Sequence, residues 1–151
     1  MVLVRGIVEH VIRHVYYSDH PIEFQRINLE KRWYIPIADH FTYLKTHPLY
    51  ADTEKKFDAV GRLKNLHQEL SLFVHGMKIS HMEMRPGLRK IKLNPSIFAR
   101  QADFIRCAAE SSNFILAVFH RTALSKLPPD DQKVVLLTFP ANARRVLAGL
   151  S

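Results

Sequence analysis

The side chains best suited to chemistry lie in the middle of the chain, in residues 53–76. This stretch carries Arg62, His67, Ser71 and His75. Ser71 and His75 are four positions apart, so on a helix they lie on the same side. Imidazole is a general acid or base near neutral pH, and guanidinium stabilises the charge that develops on a phosphorane. Histidine and arginine together can therefore carry out metal-independent phosphodiester chemistry on RNA.

Arg62 and His67 are separated by four residues, an R-x4-H spacing. Five positions along a continuous helix place two side chains about 140° apart. The two groups would therefore converge within one subunit only if a helix ended at Gly61, and Arg85 is an alternative source of the cation. A solvated helix face explains the same residues equally well, because His75 near a helix C-terminus interacts favourably with the helix dipole.

Residues 66–76, Leu-His-Gln-Glu-Leu-Ser-Leu-Phe-Val-His-Gly, resemble the L-S-x-x-V-H-G ending found in some HEPN-like helical domains. The resemblance makes His75 the counterpart of the motif histidine. Active members of that family carry R-x4-6-H near the equivalent helix and dimerise to pair two such motifs. The motif arginine would fall at Gln68, Glu69 or Leu70, and none of these is basic, which departs from the active pattern.

The resemblance implies two functions of different classes. As an enzyme, the chain would cleave RNA at a homodimer interface in a toxin or antiphage defence system, with Ser71 or His67 assisting His75. As a non-catalytic module, the same helices would form a homodimer or hold a protein partner. A helix-turn-helix regulator is a third alternative, but its best recognition-helix candidate, residues 140–150, has few side chains that could read bases.

The charge balance favours a polyanionic partner. The chain has 22 basic and 14 acidic residues and a net charge of +8, and every phosphate that a basic group neutralises releases counterions. Residues 85–92 have the character of a loop, for which nucleic-acid contact and simple solubility are equally good explanations. The basic residues of this run, which we take as the candidate nucleic-acid contacts, are Arg85, Arg89, Lys90 and Lys92.

Metal and cofactor signatures are weak. His10 and His14 are four positions apart and could share a metal ion, but spacing fixes no third ligand. There is no C-x-x-C, no G-x-G-x-x-G and no phosphate-binding G-x-x-x-x-G-K-[ST] motif. We therefore expect no metal and no cofactor. We interpret the two histidines as a solvent-exposed edge of a helix, or as an edge that faces the acidic surface of a partner.

The elements that must position these residues are helices. Apolar residues recur at helical spacing along most of the chain, which predicts an all-α, HEPN-like bundle of five to six helices in a single domain, residues 1–151. Residues 77–94 lack this period and are expected to form a loop. The ranges expected to be helical are 2–17, 21–28 or as far as 33, 53–76, 95–124, a segment after Asp130, and 140–150. Pro36 is either a break in the chain or the first-turn proline of a further helix to Leu44.

The same spacing predicts which side chains are buried. In the central helix, capped by Asp52 or Thr53, the buried stripe is expected to be Leu63, Leu66, Leu70 and Phe73. The inward residues expected of the two later helices are Phe98, Ile105, Ala108, Ser112, Ile115 and Phe119, followed by Val134, Val135 and Leu137.

The compartment is suggested by two features of the chain. No apolar run approaches the roughly 18 residues of a membrane span, and the single cysteine, Cys107, permits no intramolecular disulfide. We expect a soluble cytoplasmic protein with no membrane contact.

Overall fold

Helices form all the regular secondary structure in the part of the chain that the computed structural model describes, residues 1–74 and 95–148 without the side chains of 73, 74 and 148. The predicted all-α class is confirmed, although nine helices occur in these residues where five to six were expected. They are α1 (Val2–Asp19), α2 (Pro21–Leu29), α3 (Ile37–Thr46), α4 (Pro48–Phe57), α5 (Ala59–Val74), α6 (Pro95–Phe119), α7 (Arg121–Leu124), α8 (Pro129–Leu137) and α9 (Ala141–Ala148).

The core is built on α1, α5 and α6. α1 packs against α3, α5 and α6, and α5 runs along α6. Helical spacing predicts the apolar stripes that meet there. A large apolar side chain contributes about 1.5–3 kcal/mol to stability when it is buried, so the stripe of each helix faces a neighbouring helix. The buried side chains of α1 and α5 are Val4, Val8, Ile12, Val15 and Tyr16, and Ala59, Val60, Leu63, Leu66, His67 and Leu70.

The central stretch does not form one helix, so the prediction of a continuous helix from residue 53 is wrong. α4 ends at Phe57, its C-cap Asp58 has a φ of 49° in the left-handed region, and α5 begins at Ala59. The predicted N-cap at Asp52 or Thr53 is also wrong, because both residues lie inside α4. Its actual N-cap is His47, whose Nδ1 accepts a hydrogen bond from the backbone N–H of Leu49 at 3.1 Å.

Glu54 and Gly61 shape the junction between α4 and α5. The Glu54 carboxylate accepts hydrogen bonds from the backbone N–H groups of Val60, at 3.1 Å, and Gly61, at 2.9 Å, at the start of α5. A Cβ on Gly61 would overlap the carboxylate of Asp58. Gly61 therefore makes room for the side chain of Asp58.

In the first half of α6, the buried face is rotated relative to the predicted face. Phe98 and Ile105 are about half exposed, contrary to the prediction, whereas Ala108, Ser112 and Ile115 are buried as expected. The true stripe begins at Phe104, one position and about 100° away from Ile105. The predicted helix to residue 124 is interrupted at His120, after which α7 forms a single turn.

The burial predicted for α8 is also partly wrong. Val134 and Leu137 are exposed, whereas Val135 packs against the core as predicted. Leu136, which was not predicted to be buried, also packs against the core. Phe139, which follows the helix, is buried instead and packs edge-to-face on Phe114 at 6.3 Å between ring centroids. α8 therefore lies on the outside of the bundle and touches the core with one side only.

Polar contacts tie the helices together. The Tyr50 hydroxyl of α4, fully buried, donates to the carbonyl of Ile115 in α6 at 2.9 Å. On the surface, Arg100 of α6 pairs with Glu69 of α5. Among the helices in the described ranges, none has the length and apolar character required to cross a membrane.

Candidate functional site

Several of the predicted site residues fall in the part of the chain between the two described ranges. These are His75, which the sequence suggests as the main catalytic group, and the four predicted nucleic-acid contacts. His75, Arg85, Arg89, Lys90 and Lys92 lie outside the described residues. Arg62, His67 and Ser71 are described, and all three lie on α5.

His67 is buried in the contact between α5 and α1. Its Nε2 donates a hydrogen bond to Glu9 Oε1 at 2.9 Å, and its ring packs near Phe41. Glu9 also accepts from Arg5 Nε at 2.8 Å and lies 3.4 Å from the guanidinium of Arg13. Burial alone would raise the pKa of Glu9, but the hydrogen bonds from His67 and Arg5 and the charge of Arg13 lower it below its usual value.

The other two described candidates are engaged elsewhere. Ser71 Oγ donates to the carbonyl oxygen of His67 at 2.7 Å, within its own helix. Arg62 pairs with Glu110 of α6 at 3.0 Å and lies over the ring of Phe57. Arg62 and His67 thus bind carboxylates on different helices, and the structure does not bring the guanidinium and the imidazole together at one surface.

A carboxylate–imidazole pair that the sequence interpretation missed lies between α1 and α4. His47 Nε2 donates to Asp19 Oδ2 at 2.9 Å, and the Tyr43 hydroxyl donates to the same oxygen at 2.8 Å. Such a pair can orient a catalytic base, but here the His47 Nδ1 accepts the backbone N–H of Leu49. Both ring nitrogens are occupied, so this pair fixes the start of α4. The sequence signal for it was His-Pro at a helix start.

An open groove of about 540 Å³ lies between α1, α2 and the connection that follows α2. The α1 face of the groove follows from helical spacing, because positions 10, 13, 14 and 17 lie on one side of the helix. No carboxylate is among the lining residues in the described ranges. The side chains that give the groove its chemistry are His10, Arg13, His14, Tyr17, Phe24 and Tyr34.

The groove combines flat apolar rings with positive charge. Tyr34 is 75% exposed and Phe24 is 49% exposed, so both rings are open to a ligand. Burial raises the pKa of Tyr17, which keeps its hydroxyl neutral. Arg13 retains a half-exposed guanidinium beside these rings even though it pairs with Glu9. Such a surface can stack a planar base and attract a phosphate.

A direct contact between two histidines lies at one edge of the groove. Nε2 of His14 on α1 and Nε2 of His120, which joins α6 to α7, are 2.9 Å apart. The ring of Phe119 lies edge-on to both imidazoles, with centroid distances of 6.2 and 4.9 Å. Residues 14 and 120 are far apart in the chain, so no spacing rule could have paired them. Over residues 1–74 and 95–148 there is no cluster of three or more histidine, cysteine or acidic side chains suited to a metal ion.

A second groove, of about 400 Å³, lies between α6, α7 and α8. Its described lining is almost wholly apolar, and includes Leu116, Leu127 and the exposed Val134. Its polar side chains are Asn113, His120 and Thr138, and its described lining contains no lysine, arginine, aspartate or glutamate with which to orient a charged ligand.

Comparison of the chain with protein-family models, with curated proteins and with solved structures gave no significant match in any of the three. The chemistry of the grooves and clusters described above is therefore the basis for a functional proposal.

Proposed function

We propose that this chain is an RNA-binding helical module and that a single strand of RNA lies in the groove between α1 and α2. One observation carries the proposal: three aromatic rings and three basic or titratable nitrogenous side chains line the groove, with no carboxylate among its described residues. Bases of any sequence can stack on aromatic rings, and each stacked base contributes about 1–3 kcal/mol.

The charge of the chain supports the same partner. The net charge of +8 favours association with a polyanion at low ionic strength. The connection between α2 and α3 adds the exposed Lys31 and Arg32 close in sequence to Tyr34. Arg13 supplies the cation inside the groove, where a phosphate joined to a stacked base would lie.

Cleavage of RNA is a separate question from binding. The described catalytic candidates are each bound within the fold: His67 to Glu9, Ser71 to a backbone carbonyl, and Arg62 to Glu110. These contacts favour a binding module over a ribonuclease, and leave His75 as the residue on which a catalytic role in a toxin or defence system depends.

Binding can be tested by filter retention of a short labelled single-stranded RNA over a salt series. We expect Tyr34→Ala and Phe24→Ala each to weaken binding by about fivefold to a hundredfold. We expect Arg13→Gln to weaken binding and to reduce the slope of log K against log salt by about one. The matched controls are Phe98→Ala, an exposed aromatic on α6, and Arg144→Gln, an exposed cation on α9.

Two results would count against the groove. If Phe98→Ala weakens binding as much as Tyr34→Ala, the RNA is not seated on the groove aromatics. If the wild-type chain retains no RNA even at low salt, the module binds a protein partner or a second copy of itself instead.

Cleavage is decided by incubating a mixed-structure RNA in EDTA with the wild-type chain and with His75→Ala. Cleavage that disappears with His75 would establish a metal-independent ribonuclease. RNA that is bound but stays intact would establish a binding module without catalysis. Equal cleavage by both proteins would remove His75 from the mechanism.

A further inference from the structure

We propose that the groove between α1 and α2 takes up protons when RNA binds, and that His10 and His14 are the groups that take them up. The inference rests on the proposed function and deepens it, because it concerns how the same groove holds a phosphate. Imidazole changes its charge between about pH 5 and 8. RNA should therefore bind more tightly in mild acid than at neutral pH.

The two imidazoles lie where a phosphate in the groove can reach them. His10 and His14 are four positions apart on α1, so they are neighbours on one side of the helix, and both line the groove together with Arg13. Both are exposed, so an RNA strand can approach their ring nitrogens. Arg13 is a permanent cation that disfavours a proton on its neighbours, and a bound phosphate would offset this repulsion. Proton uptake is therefore coupled to the arrival of the anion.

Acidic groups that could neutralise these protons in the free chain are engaged elsewhere. No carboxylate lines the groove in the described ranges, and its other titratable side chains are the tyrosines Tyr17 and Tyr34. The carboxylates of α1 and the first turn of α2 all bind other side chains. They are Glu9, bound to Arg5 and His67, Asp19, bound to Tyr43 and His47, and Glu23, which accepts from Tyr16 at 2.6 Å. An RNA phosphate is therefore the anion that favours the protonated imidazoles.

The contact between His14 and His120 gives protonation a second effect. Their Nε2 atoms meet at 2.9 Å and their ring centroids are 5.2 Å apart, so the rings share one N–H head-on. When both rings are protonated, two N–H groups face each other and this hydrogen bond cannot form. The other ring that packs on His14 from α6 is the uncharged Phe119, and the groove that His120 lines contains no carboxylate among its described residues. Protonation of both rings therefore releases the His14 N–H to a phosphate.

The salt dependence of binding should change with pH. Each phosphate that a cation neutralises on a single strand contributes about 0.7 to the slope of log K against log salt. Because two imidazoles gain charge, we expect this slope to be steeper by about 1.4 near pH 5.5 than near pH 8. At low salt, the affinity should rise at least about tenfold over the same range, as expected for new hydrogen bonds between charged groups.

The test is isothermal titration of the full chain with an oligouridine of about ten nucleotides. Its ends carry no phosphate, because a terminal phosphate would itself titrate in this range. Repeating the titration in buffers with different heats of ionisation gives the number of protons taken up per complex. We expect about one proton near pH 6.5 and fewer than about 0.3 near pH 8.

Substitutions assign the protons to residues. His10→Gln and His14→Gln should each remove about half of the uptake and about 0.7 of the acid-induced steepening of the salt slope. His10→Lys keeps its charge at every pH used, so it should bind at pH 8 at least as tightly as the wild-type chain while taking up about half as many protons. The matched control is His20→Gln, which removes a half-buried histidine outside the groove lining and should leave the uptake unchanged. Circular dichroism checks that each variant is folded.

The outcomes separate this inference from the proposed function. Salt-dependent binding with equal affinity and no proton uptake at both pH values would overturn the inference and leave the RNA-binding groove in place. Uptake that persists in both glutamine variants, or that falls as much in His20→Gln, would also overturn it, because the protons would then answer to the overall charge of the chain. A chain that binds no RNA at either pH, even at low salt, would overturn the proposed function and this inference with it.

Discussion

His40 is a polar side chain enclosed in an aromatic cluster. It is fully buried beside Tyr16 and Tyr17, and its Nδ1–H donates to the carbonyl of Pro36 at 2.9 Å. Nε2 has no hydrogen-bond partner among the described residues. Burial lowers the pKa of His40 and the charge of Arg13 lowers it further, against the hydrogen bond to Pro36, which raises it. The ring is therefore held neutral.

His40→Phe should change the pH dependence of stability. Unfolded His40 takes up a proton below about pH 6.5 while the buried ring does not, so the wild-type chain loses stability as pH falls through that value. The His40→Phe variant has no imidazole at this position and does not lose stability in this way. Near pH 8, we expect the free energies of unfolding of the two proteins to differ by less than about 1 kcal/mol. The variant loses the hydrogen bond to Pro36, but it also removes the buried Nε2 that has no hydrogen-bond partner among the described residues. As pH falls below about 6.5, the free energy of unfolding of the variant relative to the wild type should rise by up to about 1.4 kcal/mol for each pH unit.

Urea unfolding at several pH values measures this difference. The control is His10→Phe, at an exposed position on α1. Parallel stability curves for the wild type and His40→Phe would contradict the inference that His40 is held neutral.

Glu9→Gln should weaken the contact between α1 and α5. The carboxylate accepts from His67 and Arg5 and lies near Arg13, and hydrogen bonds of this charged type contribute about 1.5–3 kcal/mol. Because the pKa of Glu9 is lowered in the folded chain, its stabilisation is present above its unfolded pKa of about 4.3 and is lost as pH falls through the folded value. The loss caused by Glu9→Gln should therefore be largest at neutral pH and shrink in acid.

The matched control is Glu30→Gln, which breaks the exposed pair with Arg26. We expect that change to cost less than about 0.5 kcal/mol, as is usual for surface pairs four residues apart. Chemical denaturation at neutral and at acid pH measures the free energy of unfolding that each substitution removes. A Glu9→Gln effect as small as that of Glu30→Gln would show that the Glu9 network is not a stabilising one.

At the scale of the element, the junction between α4 and α5 depends on a pair of residues. Asp58 adopts a left-handed backbone, which glycine adopts more easily, and Gly61 leaves space for the Asp58 carboxylate. We expect Gly61→Ala to destabilise the chain by about 1 kcal/mol, because the Asp58 side chain must turn away from the added methyl group.

In an Asp58→Gly background, the sign of the Gly61→Ala effect should reverse. The overlap is then absent, and alanine is favoured over glycine in a helix by up to about 1 kcal/mol. Thermal unfolding of the four proteins completes the double-mutant cycle. Additive effects would mean that the two positions are not coupled through this contact.

Sequence spacing predicts the elements better than their ends. The stripes of α1 and α5 follow from a 3.6-residue period, and Pro21 and Pro95 each begin a helix as predicted. The helix that begins at Pro48 was not predicted. The break at Asp58 does not follow from the sequence, because it depends on a Glu54 carboxylate that folds back to cap the next helix. The exposure of Val134 and Leu137 depends on where α8 docks, which no local pattern specifies.

The candidate site was less predictable than the fold. Spacing correctly places Ser71 and His67 on one helix, but it cannot show that Glu9, 58 positions away, takes up the His67 imidazole. The α1 half of the groove is readable as a helical face, whereas Phe24 and Tyr34 join it only through the angle between α1 and α2. The His14–His120 contact likewise arises from helix packing alone.

At the scale of the whole molecule, the sequence predicts that the chain forms a homodimer. The outward face of α6 carries an exposed apolar stripe at helical spacing, formed by Phe98, Ala102, Ile105 and Ala109. If the homodimer expected from the sequence uses this stripe, Ile105→Glu should raise the dimer dissociation constant at least tenfold, because it places a charge in an apolar interface.

Sedimentation over a range of protein concentrations measures the association. Leu29→Glu, at another exposed apolar position, is the control and should leave the dissociation constant unchanged. A chain that stays monomeric throughout would contradict the dimer. Equal weakening by both variants would indicate non-specific association.

Trp33 gives the molecule a reporter of its own. It is the single tryptophan of the chain, and its indole lies under the guanidinium of Arg26, 4.7 Å from the ring centroid. Its neighbour in the chain, Tyr34, lines the groove. Indole emission responds to the charge and polarity around the ring, and the tryptophan emission of the unlabelled chain comes from the connection between α2 and α3. A ligand that enters the groove should therefore shift that emission without any dye attached to the protein.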